Sequence, residues 1–117
     1  MSKLSTHVLD TANGHPAAGM QIEFVRNPGP NEELLKTVIT NDDGRTDELL
    51  LSAADMVEGE YELRFDVGAY FSDLSGKTGR PGFLNVVPVR FSITNAQEGY
   101  HVPLLCSPWS FSTYRGS

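Results

Sequence analysis

The chain has 117 residues, a formal net charge of −6 and a single cysteine, Cys106. This length is close to the commonest domain size and allows a core without disulfides, so we expect one domain over residues 1–117. The negative charge argues against non-specific binding to nucleic acid, which requires an electropositive face. No apolar run reaches the length of a membrane span or of a secretory signal. These features favour a cytoplasmic protein that binds neither nucleic acid nor membrane.

Three segments in the first part of the chain alternate apolar and polar residues, which is typical of β-strands with one buried and one exposed face. We predict strands at residues 4–9, 20–24 and 34–40. Turn-forming residues, mainly Asn, Gly, Pro and Asp, separate them. The spacing of these strands and turns favours antiparallel packing.

The alternation in the first strand predicts where its side chains point. If Leu4 and Val8 face the core, Ser5 and His7 face outward. His7 then lies on exposed sheet surface, where β-branched or simple polar residues suit a strand better. Such a face meets either water or another subunit.

The segment from Ser52 to Gly59 interrupts the strand pattern, and we predict that it forms one short helix. Ser52 is a candidate N-cap, and Asp55 lies three residues later, where a carboxylate complements exposed amides. Gly59 is suited to end the helix. We expect this helix to have a structural role on the sandwich.

Alternation returns in the second half of the chain. In residues 61–67 the odd positions are apolar, and the even positions before Val67 are charged. Residues 87–93 repeat the pattern, and residues 104–114 are predicted to form the last strand. The whole sequence therefore predicts an all-β protein folded as an antiparallel β-sandwich.

The last predicted strand also presents a polar face. We expect Trp109 and Phe111 to pack inward, which leaves Ser110, Ser112 and Tyr114 on the outer surface.

Several side chains are suited to chemistry, and each also has an ordinary structural explanation. His7 carries an imidazole, the side chain best suited to proton transfer at neutral pH. His101 lies at the entrance of the last strand, where a histidine is often only solvated. Arg45 lies among acidic residues in a turn, where it either forms weak surface ion pairs or clamps a planar anion. His15, in another turn, is interpreted as an ordinary surface residue.

The residue pattern offers little support for a metal site or for a familiar nucleophile. The histidines are far apart in sequence, and the only cysteine lies in an apolar segment. Neither a nucleophile-elbow motif nor a phosphate-binding loop is present in the sequence. The residues alone indicate a β-sandwich with a polar outer face and leave its function open.

Two stretches, HVLDTANGHPAAGMQI at residues 7–22 and YHVPLLCSPWSFSTYRGS at residues 100–117, resemble the two signature segments of the transthyretin family. Between them, residues 44–71 resemble that family's strand, helix and strand in order, so the likeness covers nearly the whole chain. The resemblance implies a transthyretin-like sandwich of Greek-key type with one short helix. It also implies a homotetramer with a channel between its dimers.

The family has two branches that differ at positions this chain fills. The hormone carriers have lysine at the position of His7 and lack a closing Tyr-Arg-Gly-Ser, whereas the 5-hydroxyisourate hydrolases of the urate pathway have histidine there and end in that motif. This chain has the hydrolase residue at both places, together with the matching Arg45 and His101. Cys106 departs from the family's usual aliphatic residue, which concerns packing more than chemistry.

The hydrolase branch implies conversion of 5-hydroxyisourate to 2-oxo-4-hydroxy-4-carboxy-5-ureidoimidazoline, without a metal or an organic cofactor. His7 would take the proton of the attacking water, and Arg45 would anchor the substrate and stabilise the oxyanion. His101 would orient the water or return a proton to the leaving nitrogen.

The closing residues complete the implied site. Ser117 would act together with the catalytic residues His7, Arg45 and His101. Tyr114 and Arg115 would help to bind the substrate. The alternative is a non-enzymatic carrier that holds a small aromatic ligand in the same channel. A third interpretation is a sandwich that acts only as an interaction module.

Overall fold

The computed structural model describes residues 2–76 and 82–116. Its strands are β1 (Leu4–Asp10), β2 (His15–Pro16), β3 (Gln21–Arg26), β4 (Glu33–Ile39), β5 (Gly59–Asp66), β6 (Val86–Ile93), β7 (Tyr100–Cys106) and β8 (Phe111–Thr113). An α-helix, α1 (Val67–Leu74), follows β5 directly. The strands predicted before β7 are all present, with ends that differ from the predicted ones by one or two residues.

The strands of the described residues form two sheets that pack as a sandwich. The strand orders are β2-β1-β7-β8 and β4-β3-β5-β6, so the chain crosses between the sheets in the manner of a Greek key. The sandwich prediction is confirmed, but purely antiparallel pairing is wrong at one place, because β1 and β7 pair in parallel. Alternation along a strand fixes its buried face and carries no information about the direction of its neighbour.

The inner faces of the two sheets form the core. Side chains of β1 alternate between buried and partly exposed, as the pattern of Leu4 and Val8 predicts. The ring of Tyr61 stacks between those of Phe24 and Phe91, with ring centroids 5.5 Å from Phe24 and 6.0 Å from Phe91. Burial of each large apolar side chain stabilises the fold by about 1.5–3 kcal/mol. The packed core therefore gives the outer faces a rigid support.

The helix predicted between Ser52 and Gly59 is wrong. The structure has only a 3-10 turn at Ala53–Asp55, and Gly59 begins β5. The Ser52 side chain caps no backbone amide and donates instead to the Asp55 carboxylate at 3.1 Å. No residue of the turn is buried, so no apolar face is available to stabilise a longer helix.

The α-helix of this fold lies instead at α1. Asp66 caps its first turn by accepting a hydrogen bond from the amide of Ala69, and Val67 and Tyr70 are buried at helical spacing. The Tyr70 hydroxyl donates to the buried Asp10 carboxylate at 2.8 Å, which joins α1 to the end of β1. In the described part of the chain, no helix combines the length and apolar character that crossing a membrane requires.

The segment predicted as one strand at residues 104–114 is a hairpin. A turn closed by the Ser107 amide and the Ser110 carbonyl at 2.9 Å separates β7 from β8. The inward packing predicted for Trp109 and Phe111 is wrong, since these side chains are 71% and 44% exposed. Trp109 lies in the turn, and Phe111 lies on the outermost strand, where no further strand covers it.

Candidate active site

The outer face of the β1–β7 pair carries the candidate catalytic residues. The parallel register sets Ser5 opposite His101 and His7 opposite Pro103. Residues in register on neighbouring strands project to the same side, so Ser5, His7 and His101 share this face. The outward direction predicted for His7 is confirmed, because both its strand neighbours are buried.

A tight turn brings Arg45 to the same region. Asn41 organises the turn, since its side-chain oxygen accepts a hydrogen bond from the Arg45 amide at 3.1 Å. The Gly44 carbonyl accepts from the Val8 amide at 2.7 Å, which fastens the turn to β1. Gly44 has a φ of 74°, and a Cβ there would lie 2.3 Å from the Val8 carbonyl oxygen. Only glycine fits this contact, so the position of Arg45 depends on it.

The same turn fixes the orientation of His7. Its Nε2 lies 2.8 Å from the backbone carbonyl oxygen of Asp43. A carbonyl can only accept, so Nε2 carries the hydrogen and Nδ1 is the acceptor of the neutral ring. His7 is therefore held with one defined nitrogen available to take a proton.

The ring of His101 is held from two sides. Its Nδ1 lies 2.8 Å from the Ser5 hydroxyl oxygen. On the other side, the Gly116 amide donates to the His101 carbonyl at 2.7 Å, and a Cβ at Gly116 would lie 2.7 Å from the ring carbon Cδ2. The closing segment of the chain thus packs against this imidazole without space for a side chain.

Burial and neighbouring positive charge lower the pKa of His101 below its usual value of 6.5. Burial has the largest effect, and the charges of Arg45, His7 and Lys3 act in the same direction. A hydrogen bond to the backbone of Ser5 opposes them. His101 is therefore neutral at physiological pH, as a general base or a water-orienting group requires.

A cleft of about 210 Å³ includes Ser5, the hydrogen-bond partner of His101, in its lining, whereas neither imidazole is among its described lining residues. Lys3, Ser5 and Arg45 contribute to its lining, together with Asp47 and Glu48. Arg45 and Lys3 take part in none of the ion pairs formed among residues 2–76 and 82–116. Local salt bridges therefore do not occupy the guanidinium, and the cleft is suited to a small anion.

A larger groove of about 450 Å³ lies between the C-terminal end of α1 and the β7–β8 turn. Phe71, Leu84 and Trp109 are among its lining residues, and its described lining includes no acidic, basic or imidazole side chain. The larger groove therefore lacks groups that can transfer protons, and volume alone would select the wrong site.

The remaining predicted site residues are placed differently. Tyr114 is exposed, and it borders a groove between β6 and the β7–β8 hairpin. The Arg115 guanidinium lies 4.1 Å from the Tyr100 ring centroid and contacts the Glu98 carboxylate at 3.0 Å. Tyr100 points to the side of β7 opposite His101, so the Arg115 side chain is directed away from the imidazoles. Ser117 lies outside the described residues, and its role stays a prediction.

His15 and Cys106 take no part in the group. His15 is exposed, and its Nδ1 contacts the Pro16 carbonyl at 2.8 Å. Burial raises the pKa of the Cys106 thiol to about 12, which makes it unreactive. Within residues 2–76 and 82–116, no three His, Cys, Asp or Glu side chains are arranged to hold a metal ion.

A model of the HIUase/Transthyretin family matches residues 4–116. The chain belongs to this family. A member from Mesorhizobium japonicum, called 5-hydroxyisourate hydrolase, is 52% identical over 98% of this chain and 92% of its own length. The solved 5-hydroxyisourate hydrolase of Klebsiella pneumoniae is 36% identical, with a TM-score of 0.80 and full coverage of both chains.

Transthyretin from Sparus aurata superposes with a TM-score of 0.84, covering 99% of this chain and 97% of that one. Its identity is only 24%, so this likeness concerns the fold alone. The transthyretin-like fold that the signature segments imply is thereby confirmed.

The predicted site omitted two residues that the structure brings to the imidazoles. Ser5 contacts His101 directly, and Lys3 adds its charge to the same ring. The alternation of β1 does assign Ser5 to the face of His7, which is the signal that could have found it. Its contact with a residue 96 positions later depends on the parallel pairing of β1 and β7.

Proposed function

We propose that this chain hydrolyses 5-hydroxyisourate to 2-oxo-4-hydroxy-4-carboxy-5-ureidoimidazoline. One observation carries the proposal: the imidazoles of His7 and His101 share one face of the β1–β7 pair, and the charge of Arg45 acts on the ring of His101. These groups come from three distant parts of the chain. The names of the relatives at 36% and 52% identity support the same reaction.

The reaction adds water across an amide bond of the six-membered ring. His7 would accept a proton from the water through Nδ1, because its Nε2 donates to the Asp43 carbonyl. The water oxygen bonds to the carbonyl carbon, the carbon–nitrogen bond breaks, and an imidazole returns the proton to the departing nitrogen. The former carbonyl carbon becomes the carboxylate of the product. His101, neutral in the resting state, would orient the water or exchange the second proton.

Arg45 would stabilise the charge that develops on the carbonyl oxygen. A guanidinium already directed at that oxygen does not need to reorganise during the reaction, and its planar donors suit a flat anion. Arg45 and Lys3 line the cleft beside Asp47 and Glu48, so these two cations are the groups there that can contact an anionic substrate.

The proposal includes a homotetramer in which Tyr114 and Ser117 complete the substrate site, and in which Arg115, directed away from the imidazoles of its own chain, would contribute only from a neighbouring subunit. The exposure of Tyr114 supports a contact with the flat substrate or with a second subunit. Native mass spectrometry measures the assembly directly. A chain that is active as a monomer would contradict this part of the proposal.

We also propose that the protein acts in the cytoplasm without a cofactor. The buried thiol of Cys106, which is unpaired in the described part of the chain, supports a reducing compartment. Acid–base hydrolysis requires no redox or metal centre.

The decay of freshly generated 5-hydroxyisourate, followed by ultraviolet absorbance, tests the reaction. The purified chain is expected to accelerate this decay, and His7→Ala is expected to slow it by about 10²–10⁴-fold, the usual contribution of a general base. His15→Ala makes the same change at an exposed histidine outside the site and should leave the rate unchanged. Tight binding of a small aromatic ligand without acceleration by the wild-type chain would instead support the carrier.

A further inference from the structure

Ser5 makes a direct side-chain hydrogen bond to the imidazole of His101. Its hydroxyl oxygen lies 2.8 Å from Nδ1, and the register of β1 and β7 sets the two residues side by side. Ser5 is half-buried between Leu4 and Thr6, which are both buried. The hydroxyl forms no other hydrogen bond with the described residues. Its position is thus fixed by the core on one side and by the imidazole on the other.

We propose that Ser5 is a positioning residue that accepts a hydrogen bond from Nδ1–H of His101 and so leaves Nε2 as the nitrogen that exchanges protons. The inference rests on the proposed hydrolysis, since it assigns the tautomer that this reaction uses. Ser5 does not touch the reacting atoms in this proposal. It acts through the ring of His101.

Contacts on two sides of the His101 ring explain why a hydroxyl is suited to hold it. Gly116 packs against Cδ2 and Ser5 holds Nδ1, so the imidazole cannot rotate without losing both contacts. When Nε2 gains a proton, the imidazolium keeps its Nδ1–H and continues to donate to Ser5. The Nδ1 bond therefore persists in the neutral and the charged ring, and His101 can gain and lose a proton at one fixed place.

The positive charges around the His101 ring make the hydrogen bond with Ser5 necessary. Lys3 just before β1, His7 on β1 and Arg45 on the neighbouring turn all disfavour the protonated ring. Arg115 on the closing segment points to the other side of β7. Ser5 acts in the opposite direction: a hydrogen bond from the ring to the Ser5 backbone raises the pKa of His101, and the Ser5 hydroxyl, 2.8 Å from Nδ1, is a further acceptor. Without that hydroxyl the charged ring has one acceptor fewer and would form only at lower pH.

Substitution of Ser5 separates positioning from folding. Ser5→Ala should lower kcat by about 10- to 100-fold with little change in KM, which is part of the 10²–10⁴-fold that acid–base catalysis contributes. The acid limb of its pH profile should move to lower pH. Ser5→Thr keeps the hydroxyl and suits a strand, so it should restore most of the rate. Ser92→Ala, which removes a strand hydroxyl on the other sheet, is the matched control and should leave the rate unchanged.

Nitrogen-15 NMR of His101 tests the inference without turnover, in the wild-type chain and in Ser5→Ala. The wild-type ring should populate mainly the Nδ1–H tautomer at neutral pH, and Ser5→Ala should shift the Nδ1 signal and lower the pKa of the ring. A predominant Nε2–H tautomer, or a titration unaffected by Ser5→Ala, would overturn the proposal. If the wild-type chain fails to hydrolyse 5-hydroxyisourate, the function fails, but these NMR signals still decide whether Ser5 sets the tautomer.

Discussion

The outer faces of the two sheets carry charged side chains at the same strand spacing but arrange them in opposite ways. On the β3–β5–β6 face, the Glu62 carboxylate contacts Arg64 at 2.5 Å and Arg90 at 3.2 Å. Arg64 also contacts Glu32 at 2.7 Å. Each of these cations has a carboxylate partner from its own sheet or from a neighbouring loop.

The β1–β7 face and its adjoining turn gather two cations and two imidazoles that lack such partners. Lys3, His7, Arg45 and His101 form no ion pair among residues 2–76 and 82–116. Repulsion from Arg45, His7 and Lys3 contributes to the lowered pKa of His101. Among the causes of this shift there is no carboxylate that opposes them. A face of this kind is stabilised when an anion binds, whereas the paired face gains nothing from one. The difference supports the proposal that the site lies on the β1–β7 face.

Reversal of one charge on each face should give the largest difference in activity between the two faces. Arg45→Glu removes the proposed oxyanion donor and introduces repulsion, so we expect kcat/KM to fall by about 10³-fold or more. Arg90→Glu, on the paired face, should cost some stability and leave kcat/KM nearly unchanged. Steady-state kinetics of both folded variants decide the matter. Equal losses of activity would mean that the two faces do not differ in function.

The sequence predicts one part of this comparison well. Period-two alternation is enough to direct His7 outward, because the core imposes it along β1. The same rule directs Arg64 outward on β5, so alternation alone cannot tell a paired arginine from a free one. Pairing depends on Glu32, which lies in a loop and reaches Arg64 only in the folded chain.

Other features escaped prediction for similar physical reasons. The parallel contact between β1 and β7 brings Ser5 to His101, and such long-range pairing leaves no local signal. The hairpin turn containing Trp109 was missed because the residues on both sides continue to look like a strand. Asp66 followed by Val67 and Tyr70 did carry a capping and helical signal, which the strand pattern ending at Val67 concealed.

Removal of the acid at the centre of the paired face should have an intermediate effect, on stability alone. Glu62 is 4% exposed, so Glu62→Gln leaves Arg64 and Arg90 without their shared carboxylate. We expect the free energy of unfolding to fall by about 1–3 kcal/mol, the usual cost of a lost charged partner. Chemical denaturation measures this change. A comparable loss of kcat in the folded variant would show that the paired face also serves the reaction.

The smallest expected effect concerns Lys3, whose charge acts on His101 from the end of β1. Protonation of His101 stops its function, so the part of the acid limb that reports this ring should lie below pH 6.5, its usual pKa. Lys3→Gln removes a charge that disfavours the protonated ring, so the limb should move to higher pH. The shift should diminish in high salt, because exposed charges are screened beyond about 10 Å at 0.1 M ionic strength. Lys36→Gln, on β4, removes the same charge from the other sheet and should leave the profile in place. A limb that moves equally in both variants would reflect net charge rather than a local field at this imidazole.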